Sequence, residues 1–296
     1  MSLRKFAVLL AVLAALLYGL SMPFSKLLLA ELSPYWMSSA LYLGAGIGMF
    51  LLIMMDRNPS IKHFHFQRRD WKYIGVMIAL DILAPILLMT GLLSTPASTA
   101  ALLNNFEIVF TAFIASLFFH EKIGRWMRLA IAIIVVAGMV LSMEDWNTLR
   151  FTLGSLWIAL ATLSWGLENN MTRQLAHHDA RHVVIFKGLG SGLGAWLVAI
   201  ILRDAMVSPT YYGYALGLGF VSYGLSLVCY ITAQRYLGAA RTSAHYAVAP
   251  FAGALFSFIF LGEALTWNFV IGALMMAAAT AILIRENRPS TDEVKH

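Results

Sequence analysis

The chain has 296 residues, of which 60% are hydrophobic and only 12% are charged. This charged share is about half of what soluble domains carry, so the composition excludes a water-soluble globular protein and predicts a polytopic membrane protein in the lipid bilayer. The net charge of +6 does not indicate a nucleic-acid partner, because the basic residues lie mostly in short loops. The single cysteine, Cys229, excludes an intramolecular disulfide and a CxxC metal site.

Ten apolar stretches follow one another along the chain and are predicted to form ten transmembrane helices, called spans one to ten. About 20 helical residues cross the hydrocarbon core of a bilayer. The stretches cover residues 6–29, 34–55, 71–93, 97–119, 126–143, 153–173, 183–202, 212–234, 243–261 and 267–284. The fifth and tenth are barely long enough and suit peripheral helices. Pro23 and Pro250 are expected to break spans one and nine.

Positive charge between the spans predicts the orientation of the chain. Residues Phe6–Leu29 are too long for the apolar region of a cleaved signal peptide, so we interpret them as a retained first span. With the N-terminus inside, all but four of the 21 lysines and arginines fall on inside loops, inside helix ends and tails. Both termini are therefore predicted to be cytoplasmic in a bacterial inner membrane. Residues 285–296 are predicted to be a disordered cytoplasmic tail.

The second half of the sequence repeats the first. Leu13–Lys26 aligns without gaps to Leu160–Arg173, and glycines recur along spans two and seven. Because each half contains five spans, the second half must be inverted relative to the first. We expect one five-helix repeat in residues 1–147 and an inverted one in residues 148–284. Such inverted repeats, with a binding site at their interface near the membrane midplane, are characteristic of secondary transporters.

These features resemble the drug/metabolite transporter superfamily, specifically its EamA-type carriers with ten helices. The resemblance covers nearly the whole chain, and its local matches are Tyr18-Gly19 with Lys26, Leu32-Ser33-Pro34, Ala97–Glu121, Trp165-Gly166, Gly238–Pro250 and Gly262-Glu263. The chain departs from the family at Ile108, where span four usually has proline, and at Leu41, where span two often has arginine. The resemblance implies metabolite efflux and a central cavity lined chiefly by spans one, three, four, six, eight and nine.

Two acidic residues lie near the middle of neighbouring spans. Asp81 is in span three, and Glu107 is in span four beside Asn104 and Asn105. A carboxylate at this depth is costly and marks a functional site by default. The short connection Ser94-Thr95-Pro96 makes the two spans antiparallel neighbours, so both carboxyls are expected to share one cavity. Burial and mutual repulsion favour a bound proton there, as proton coupling requires. The alternative for Asp81 is a structural hydrogen bond.

A second polar cluster lies on span six, where Trp165, Glu168 and Asn169 share one helical face. Lys187 lies at about the same depth in span seven, so an ion pair between Lys187 and Glu168 is predicted. The pair either shifts between inward-facing and outward-facing states or is a permanent structural contact. A third interpretation is that Lys187 extends to the membrane interface and pairs with nothing.

Aromatic and hydroxyl side chains alternate on one face of span eight, where Tyr223 and Tyr230 are candidates for a cavity wall. Span nine adds Tyr246, with His245 on an adjoining face. Packing between helices is the alternative interpretation of this aromatic stripe. His245 is equally well read as a packed hydrogen-bonding residue or as a proton carrier.

No cluster with metal-ligand spacing stands out, and no cofactor is predicted. His177-His178 is interpreted as a pair of loop residues with no carboxylate cluster nearby. The leading hypothesis is a secondary transporter that exports a small polar, amino-acid-like solute and is coupled to protons. The alternatives are a lipid flippase and an intramembrane enzyme with a lipid-linked substrate. Against the enzyme stand the lack of a nucleophile–base arrangement and the inverted repeat.

Overall fold

Helices form nearly all of the structure, a computed structural model that describes residues 3–56, 66–120, 122–145, 150–175, 177–205 and 208–286. The elements in chain order are α1 (Leu3–Gly19), α2 (Ser21–Leu28), α3 (Pro34–Met55), α4 (Asp70–Ser94), α5 (Ala97–Leu103), α6 (Phe106–Phe119), α7 (Arg125–Ser142), β1 (Met143–Asp145), β2 (Arg150–Phe151), α8 (Leu153–Thr172), α9 (Ala180–Ile201), α10 (Pro209–Gly219), α11 (Ser226–Leu237), α12 (Ala239–Tyr246), α13 (Ala249–Leu261) and α14 (Trp267–Glu286). A 3₁₀ turn (Arg173–Leu175) follows α8, and a π-helical segment (Phe220–Leu225) joins α10 to α11. The prediction of an all-α membrane protein is confirmed, and the short antiparallel pair of β1 and β2 was not anticipated.

Nine helical segments of the described chain are long and apolar enough to cross a membrane. The predicted span that is missing from this set is span six, which is α8. It has 20 residues, about 30 Å of helix, but Glu168, Asn169 and Asn170 lower its hydropathy. It packs between α4 and α6, which shield these polar residues from lipid. The prediction of ten spans counted span six because of its length. Its hydropathy alone does not mark α8 as a span, and its packing between α4 and α6 supports the assignment.

Proline positions explain two of the breaks within spans. In span one the helix restarts at Ser21, two residues before Pro23, and in span nine it restarts at Ala249, one residue before Pro250. Proline lacks a backbone N–H and is therefore tolerated in the first turn of a helix, where that donor has no partner within the helix. The predicted breaks in spans one and nine are confirmed.

Span four is also broken, although it has no proline at the equivalent position. The break lies at Asn104 and Asn105, between α5 and α6. Here the Asn105 N–H donates to the Leu102 carbonyl at 3.1 Å, one residue nearer than in an α-helix, and the Asn105 side chain donates to the same carbonyl. Asparagine side chains compete for backbone groups in this way and so loosen a helix locally. Spans four and nine are thus both divided into two helices. The break is caused by asparagine side chains in span four and by Pro250 in span nine.

Helix packing follows the inverted repeat. α3 packs on α9 and α7 packs on α14, which pairs span two with span seven and span five with span ten. The contact of α1 with α11 is matched by that of α8 with α4, as exchange of the two halves requires. The repeat also extends to local geometry, because His120 and Gly262 end α6 and α13 in the same left-handed conformation. The boundaries of the repeats at residues 147 and 148 stay a prediction.

Large apolar side chains cover the outside of the bundle, as expected of helices that face lipid. Exposed examples are Phe118, Ile201, Trp267 and Leu274. α14 continues to Glu286, so Arg285 and Glu286 belong to the last helix and not to the predicted tail. The rest of that tail, residues 287–296, lies outside the described residues.

Candidate functional site

A cavity of about 660 Å³ lies in the middle of the helix bundle, between the two repeats. Ten of the twelve predicted site residues line it: Asn104, Asn105, Glu107, Trp165, Glu168, Asn169, Lys187, Tyr223, Tyr230 and Tyr246. The expectation from the family resemblance that span three lines this cavity is wrong for its described residues. Spans two, five, seven and ten contribute instead, for example through Tyr42, Met127 and Thr280.

Lys187 stands at the centre of a buried ion-pair cluster. Its Nζ atom lies 3.0 Å from Glu168 Oε2 and 3.1 Å from Asp81 Oδ2. The predicted pair of Lys187 and Glu168 is therefore present, and the interpretation that Lys187 reaches the membrane interface unpaired is wrong. Thr172 donates a further hydrogen bond to Glu168 from one turn along α8. With both carboxyls ionised, the ammonium offsets part of the cost of burying them, and one net negative charge remains in the cluster.

Asp81 and Glu107 were expected to share one cavity, and the structure separates them. Asp81 is fully buried behind Lys187, where Tyr42 donates a hydrogen bond to Asp81 Oδ1 at 3.0 Å. Tyr42 in turn accepts one from Trp165 Nε1 at 3.2 Å. Asp81 therefore belongs to a chain of polar groups behind the cavity wall. The expectation that spans three and four are packed neighbours is wrong beyond their short connection, because α8 lies between α4 and α6 and separates the two carboxyls.

Glu107 faces the cavity from α6. Asn169 of α8 donates to Glu107 Oε1 at 2.6 Å and also approaches Thr111 at 3.3 Å. This carboxylate makes no ion pair with a described lysine, arginine or histidine, in contrast to Asp81 and Glu168. Glu107 is thus the acidic group of the cavity that is held in place by an amide rather than by a cation.

Tyrosine rings form the opposite wall of the cavity. Tyr18 packs edge-on against Tyr223 with centroids 5.6 Å apart, and Tyr230 packs in the same way against Tyr246 at 5.1 Å. The Tyr230 hydroxyl lies 2.8 Å from Ser243 Oγ. The aromatic stripe predicted on spans eight and nine therefore lines a cavity and also packs, so both interpretations describe it in part.

Three residues show where sequence reasoning was incomplete. His245 is not among the residues that line the cavity, although Ala244 and Tyr246 on either side are. Tyr18 and Tyr42 do line it and were not among the predicted site residues. Tyr18 could have been predicted, because it aligns with the site residue Trp165 in the internal repeat. The sequence around Tyr42 gave no indication beyond its position within a span.

The cavity extends towards one end of the bundle. Its lining includes Val184, one turn into α9, and Ile284, close to the end of α14. A second cavity of about 390 Å³ lies at this end beside Lys122 and Arg173 and shares Glu107 and Asn169 with the first. By the charge bias of the loops this end is the predicted cytoplasmic end.

Hydrogen bonds close the opposite end. Glu263, which follows α13, accepts from the backbone N–H groups of Ala97 at 2.6 Å and Ser98 at 2.9 Å. Lys26 of α2 donates to the carbonyl of Leu92 and, at 3.1 Å, to that of Thr95. Lys26 thus caps the C-terminal end of span three, and Glu263 caps the N-terminal end of span four. Each charge has the sign that the dipole of that helix end favours.

A second contact at this end joins the loops that follow spans one and seven. Ser33 donates to Asp204, and the Trp36 indole N–H donates to the Ala205 carbonyl at 2.9 Å. Both contacts connect the first repeat to the second. These two contacts and that of Glu263 with α5 must break if the two halves separate at the closed end, whereas the bonds of Lys26 lie within the first repeat.

One prediction about the loops is wrong. His177-His178 has a carboxylate beside it, because His178 Nε2 lies 2.9 Å from Asp70 Oδ2 and His177 Nε2 lies 3.9 Å from Asp70 Oδ1. Asp70 opens span three, far along the sequence, so the spacing of the chain gave no sign of this group.

An inverted repeat of membrane helices around a central cavity that contains a few charged groups defines an integral membrane protein of the transport class. The chain belongs to the EamA-like transporter family, whose profile matches residues 5–143 and again residues 152–285. The two matches correspond to the two halves of the internal repeat.

Relatives of similar length support this assignment. An uncharacterized transporter of Methanothermobacter thermautotrophicus is 25% identical over 291 residues, which cover 91% of this chain and 83% of that protein. The uncharacterized transporter YoaV of Bacillus subtilis is 22% identical and matches over 88% of this chain and 90% of its own. A solved crystal structure with 15% identity has a TM-score of 0.68 over 96% of this chain and 98% of its own, which supports the fold.

Proposed function

We propose that the protein is a proton-coupled secondary transporter that exports a small amine-bearing, amino-acid-like solute across a bacterial cytoplasmic membrane. The observation that carries the proposal is Glu107, a carboxylate in the central cavity that is held by Asn169 and makes no ion pair with a described residue. An acid in this position takes up either a proton or a cationic group of the solute.

Charge balance supports a cation at this site. Among the described residues, the central cavity and its wall contain three acids, Asp81, Glu107 and Glu168, and one basic side chain, Lys187. Burial of a charge without a partner is costly, so the excess negative charge attracts a proton or a positively charged solute. Because the two compete for one carboxylate, binding of the solute releases the proton, and this exchange couples the two movements.

The groups around Glu107 favour an amine. Asn104 lies one turn before Glu107, and its buried Oδ1 atom accepts no hydrogen bond from the described residues. Two neighbouring acceptors suit the N–H donors of an ammonium group. The tyrosine rings of the opposite wall, Tyr18, Tyr223 and Tyr246, present π-faces that attract cations. The cavity volume fits a solute of the size of an amino acid or somewhat larger.

The two ends of the bundle support alternating access. The cavity reaches the predicted cytoplasmic end, and Lys26 and Glu263 close the other, which corresponds to an inward-facing state. The inverted repeat supplies the second state, because exchange of the two halves opens the closed end and closes the open one. An exporter loads its solute in the state that is observed.

Transport assays with Glu107→Gln test the proposal. Glutamine keeps the shape and most of the hydrogen bonding of Glu107 but cannot carry a proton. In proteoliposomes filled with a mixed pool of amines and amino acids, we expect the wild type to move a subset of solutes when a pH gradient is applied. Glu107→Gln should lose this gradient-driven transport while exchange of solute for solute survives. Glu31→Gln, which changes an exposed acid away from the cavity, should behave as the wild type.

Two results would overturn the proposal. Full gradient-driven transport by Glu107→Gln would remove Glu107 as the proton site. Movement of fluorescent phospholipids between the leaflets, without movement of any solute of the pool, would replace the transporter by a flippase. Asp81→Asn completes the set, because loss of gradient-driven transport in that variant alone would place the proton behind the cavity wall.

A further inference from the structure

A three-residue cluster lies outside the central cavity, at the predicted cytoplasmic ends of spans three and six. Asp70 opens α4 with its side chain only 2% exposed, and His177 and His178 follow α8 in the loop to α9. Both Nε2 atoms face the carboxylate, His178 at 2.9 Å and His177 at 3.9 Å. The two imidazole rings lie against each other with centroids 4.0 Å apart.

A structural hydrogen bond accounts for only part of this arrangement. Asp70 Oδ2 accepts from the Gln67 backbone N–H at 2.7 Å and lies at bonding distance from His178. His177 is not needed for either bond, and at 3.9 Å from Asp70 Oδ1 it is too distant for a hydrogen bond. Its ring nitrogen nevertheless faces the same carboxylate, and its side chain is 46% exposed. The orientation of His177 is explained if Asp70, His177 and His178 together bind one ligand.

The spacing of the donors is that of a metal site. Zinc binds imidazole nitrogen and carboxylate oxygen at about 2.0–2.2 Å, which places the donors of a tetrahedral site about 3.4 Å apart. The observed separations are 3.9 Å from His177 to Asp70 Oδ1 and 2.9 Å from His178 to Asp70 Oδ2. One ligand atom from each of the three residues lies within 4.8 Å of the others, so binding of an ion requires the side chains to move closer together but not the backbone to refold.

We propose that Asp70, His177 and His178 bind a divalent transition-metal ion of the zinc class. Two imidazoles and one carboxylate suit zinc and its neighbours, whereas calcium and magnesium prefer oxygen donors alone. The exposed His177 leaves the fourth position open to solvent. Arg69 lies 3.8 Å from the same carboxylate and opposes a cation, but its side chain is 68% exposed and turns into water when the ion binds.

The site joins the two repeats. Asp70 begins span three of the first repeat, and His177 and His178 belong to the connection between spans six and seven of the second. A bound ion stabilises this contact at the predicted cytoplasmic face. None of the three residues lines the central cavity, so the site is separate from solute binding.

Zinc titration of the purified protein, with any purification tag removed, tests the proposal. By calorimetry in detergent we expect binding of one Zn²⁺ per chain and a higher temperature of unfolding. Cobalt should give the visible absorption bands of a four-coordinate site. His177→Ala should weaken Zn²⁺ binding about tenfold or more, since the loss of groups that merely orient a ligand already costs that much. This variant keeps the bond between Asp70 and His178 and is therefore expected to fold.

His120→Asn is the matched control. His120 is an exposed histidine at the same predicted face, and asparagine tolerates its left-handed backbone. This variant should bind Zn²⁺ as the wild type does. Unchanged affinity in His177→Ala would assign the binding to other histidines and overturn the site. Absence of Zn²⁺ binding at micromolar concentration by folded wild-type protein would overturn it as well. Asp70→Asn should reduce binding in parallel with His177→Ala.

Discussion

Lys187 shows how one residue can compensate two buried acids. The sequence predicted a pair with Glu168, and the structure adds Asp81 at 3.1 Å on the other side of the ammonium. A lysine with two carboxylate partners is harder to replace than one with a single partner. Removal of the ammonium leaves two negative charges side by side in a low dielectric.

Substitution of Lys187 is therefore expected to be more harmful alone than in combination. Lys187→Met should lower the free energy of unfolding by about 3–5 kcal/mol, the range for a broken buried ion pair. Lys187→Met/Asp81→Asn/Glu168→Gln removes all three charges and should recover most of this loss. Thermal unfolding in detergent measures both, with Lys72→Met as an exposed control. If the loss of unfolding free energy in the triple variant equals the sum of the losses in the three single variants, the three groups do not interact.

Asp179 gives a prediction about pH outside the membrane-spanning helices. Its hydrogen bond with the Arg181 side chain lowers the pKa of the Asp179 carboxyl to about 2, and the Arg181 backbone N–H adds to the effect by capping α9. A carboxyl whose pKa is lowered on folding stabilises the protein above its unfolded pKa of about 3.9. The contribution is lost as the pH falls towards 2.

We therefore expect Asp179→Ala to lower the free energy of unfolding by about 1 kcal/mol, the typical value of an N-cap. The difference from the wild type should be constant between pH 7 and pH 5 and should shrink below pH 4. Unfolding of both proteins at a series of pH values measures it. A difference that grows on acidification would contradict the role assigned to the carboxylate.

At the level of elements, glycines set how closely the two repeats approach. Gly46 of α3 faces Gly188 of α9, and a Cβ atom added to Gly46 would lie 2.6 Å from the Leu189 backbone nitrogen. Backbone atoms at this distance cannot yield as a flexible side chain can. Small residues are common where membrane helices pack this closely. The glycines predicted to permit packing between spans two and seven thus lie at the contact of the repeats.

Alanine at two helical glycines should have opposite effects. Gly46→Ala is expected to lower the free energy of unfolding by about 1–3 kcal/mol, because it overpacks the contact of α3 with α9. Gly75→Ala in α4, where a Cβ atom meets nothing within 4 Å, should be neutral or raise it by up to about 1 kcal/mol, since alanine favours the helix. Thermal unfolding in detergent compares them. Equal effects would show that the close approach does not limit packing.

At the level of the whole molecule, Glu263 is expected to hold the closed end shut. Glutamine at this position weakens two charge-assisted hydrogen bonds to α5, each worth about 1.5–3 kcal/mol. The population that is open at this end should therefore increase by about tenfold. A cysteine at Ala247, which lines the cavity, reports the change in a background with Cys229→Ser.

The measurement is labelling by an impermeant thiol reagent in right-side-out and inside-out vesicles. With Glu263 present, the cysteine should react from the cytoplasmic side. With Glu263→Gln, the rate from the outside should rise, while Glu31→Gln leaves it unchanged. Labelling from the outside in the presence of Glu263 would contradict the predicted orientation or the closed state.

Sequence patterns determined the features that depend on local chemistry. Apolar length and loop charge predicted the spans, Pro23 and Pro250 predicted two breaks, and the internal alignment predicted the inverted repeat. These features follow from residues close in sequence, or from a pattern that the chain carries twice. The same reasoning found Glu107, since an acid in the middle of an apolar span is unusual wherever it points.

Tertiary structure decided which distant side chains meet. Asp81 and Glu107 lie on consecutive spans, yet Asp81 is buried behind Lys187 and Glu107 lines the cavity, because α8 packs between α4 and α6. Asp70 and His178 are more than a hundred positions apart, and nothing in their local sequence marks them as partners. Helix packing therefore decides which of the predicted polar residues reach the cavity, and it brings together the proposed metal site, for which the local sequence gave no sign.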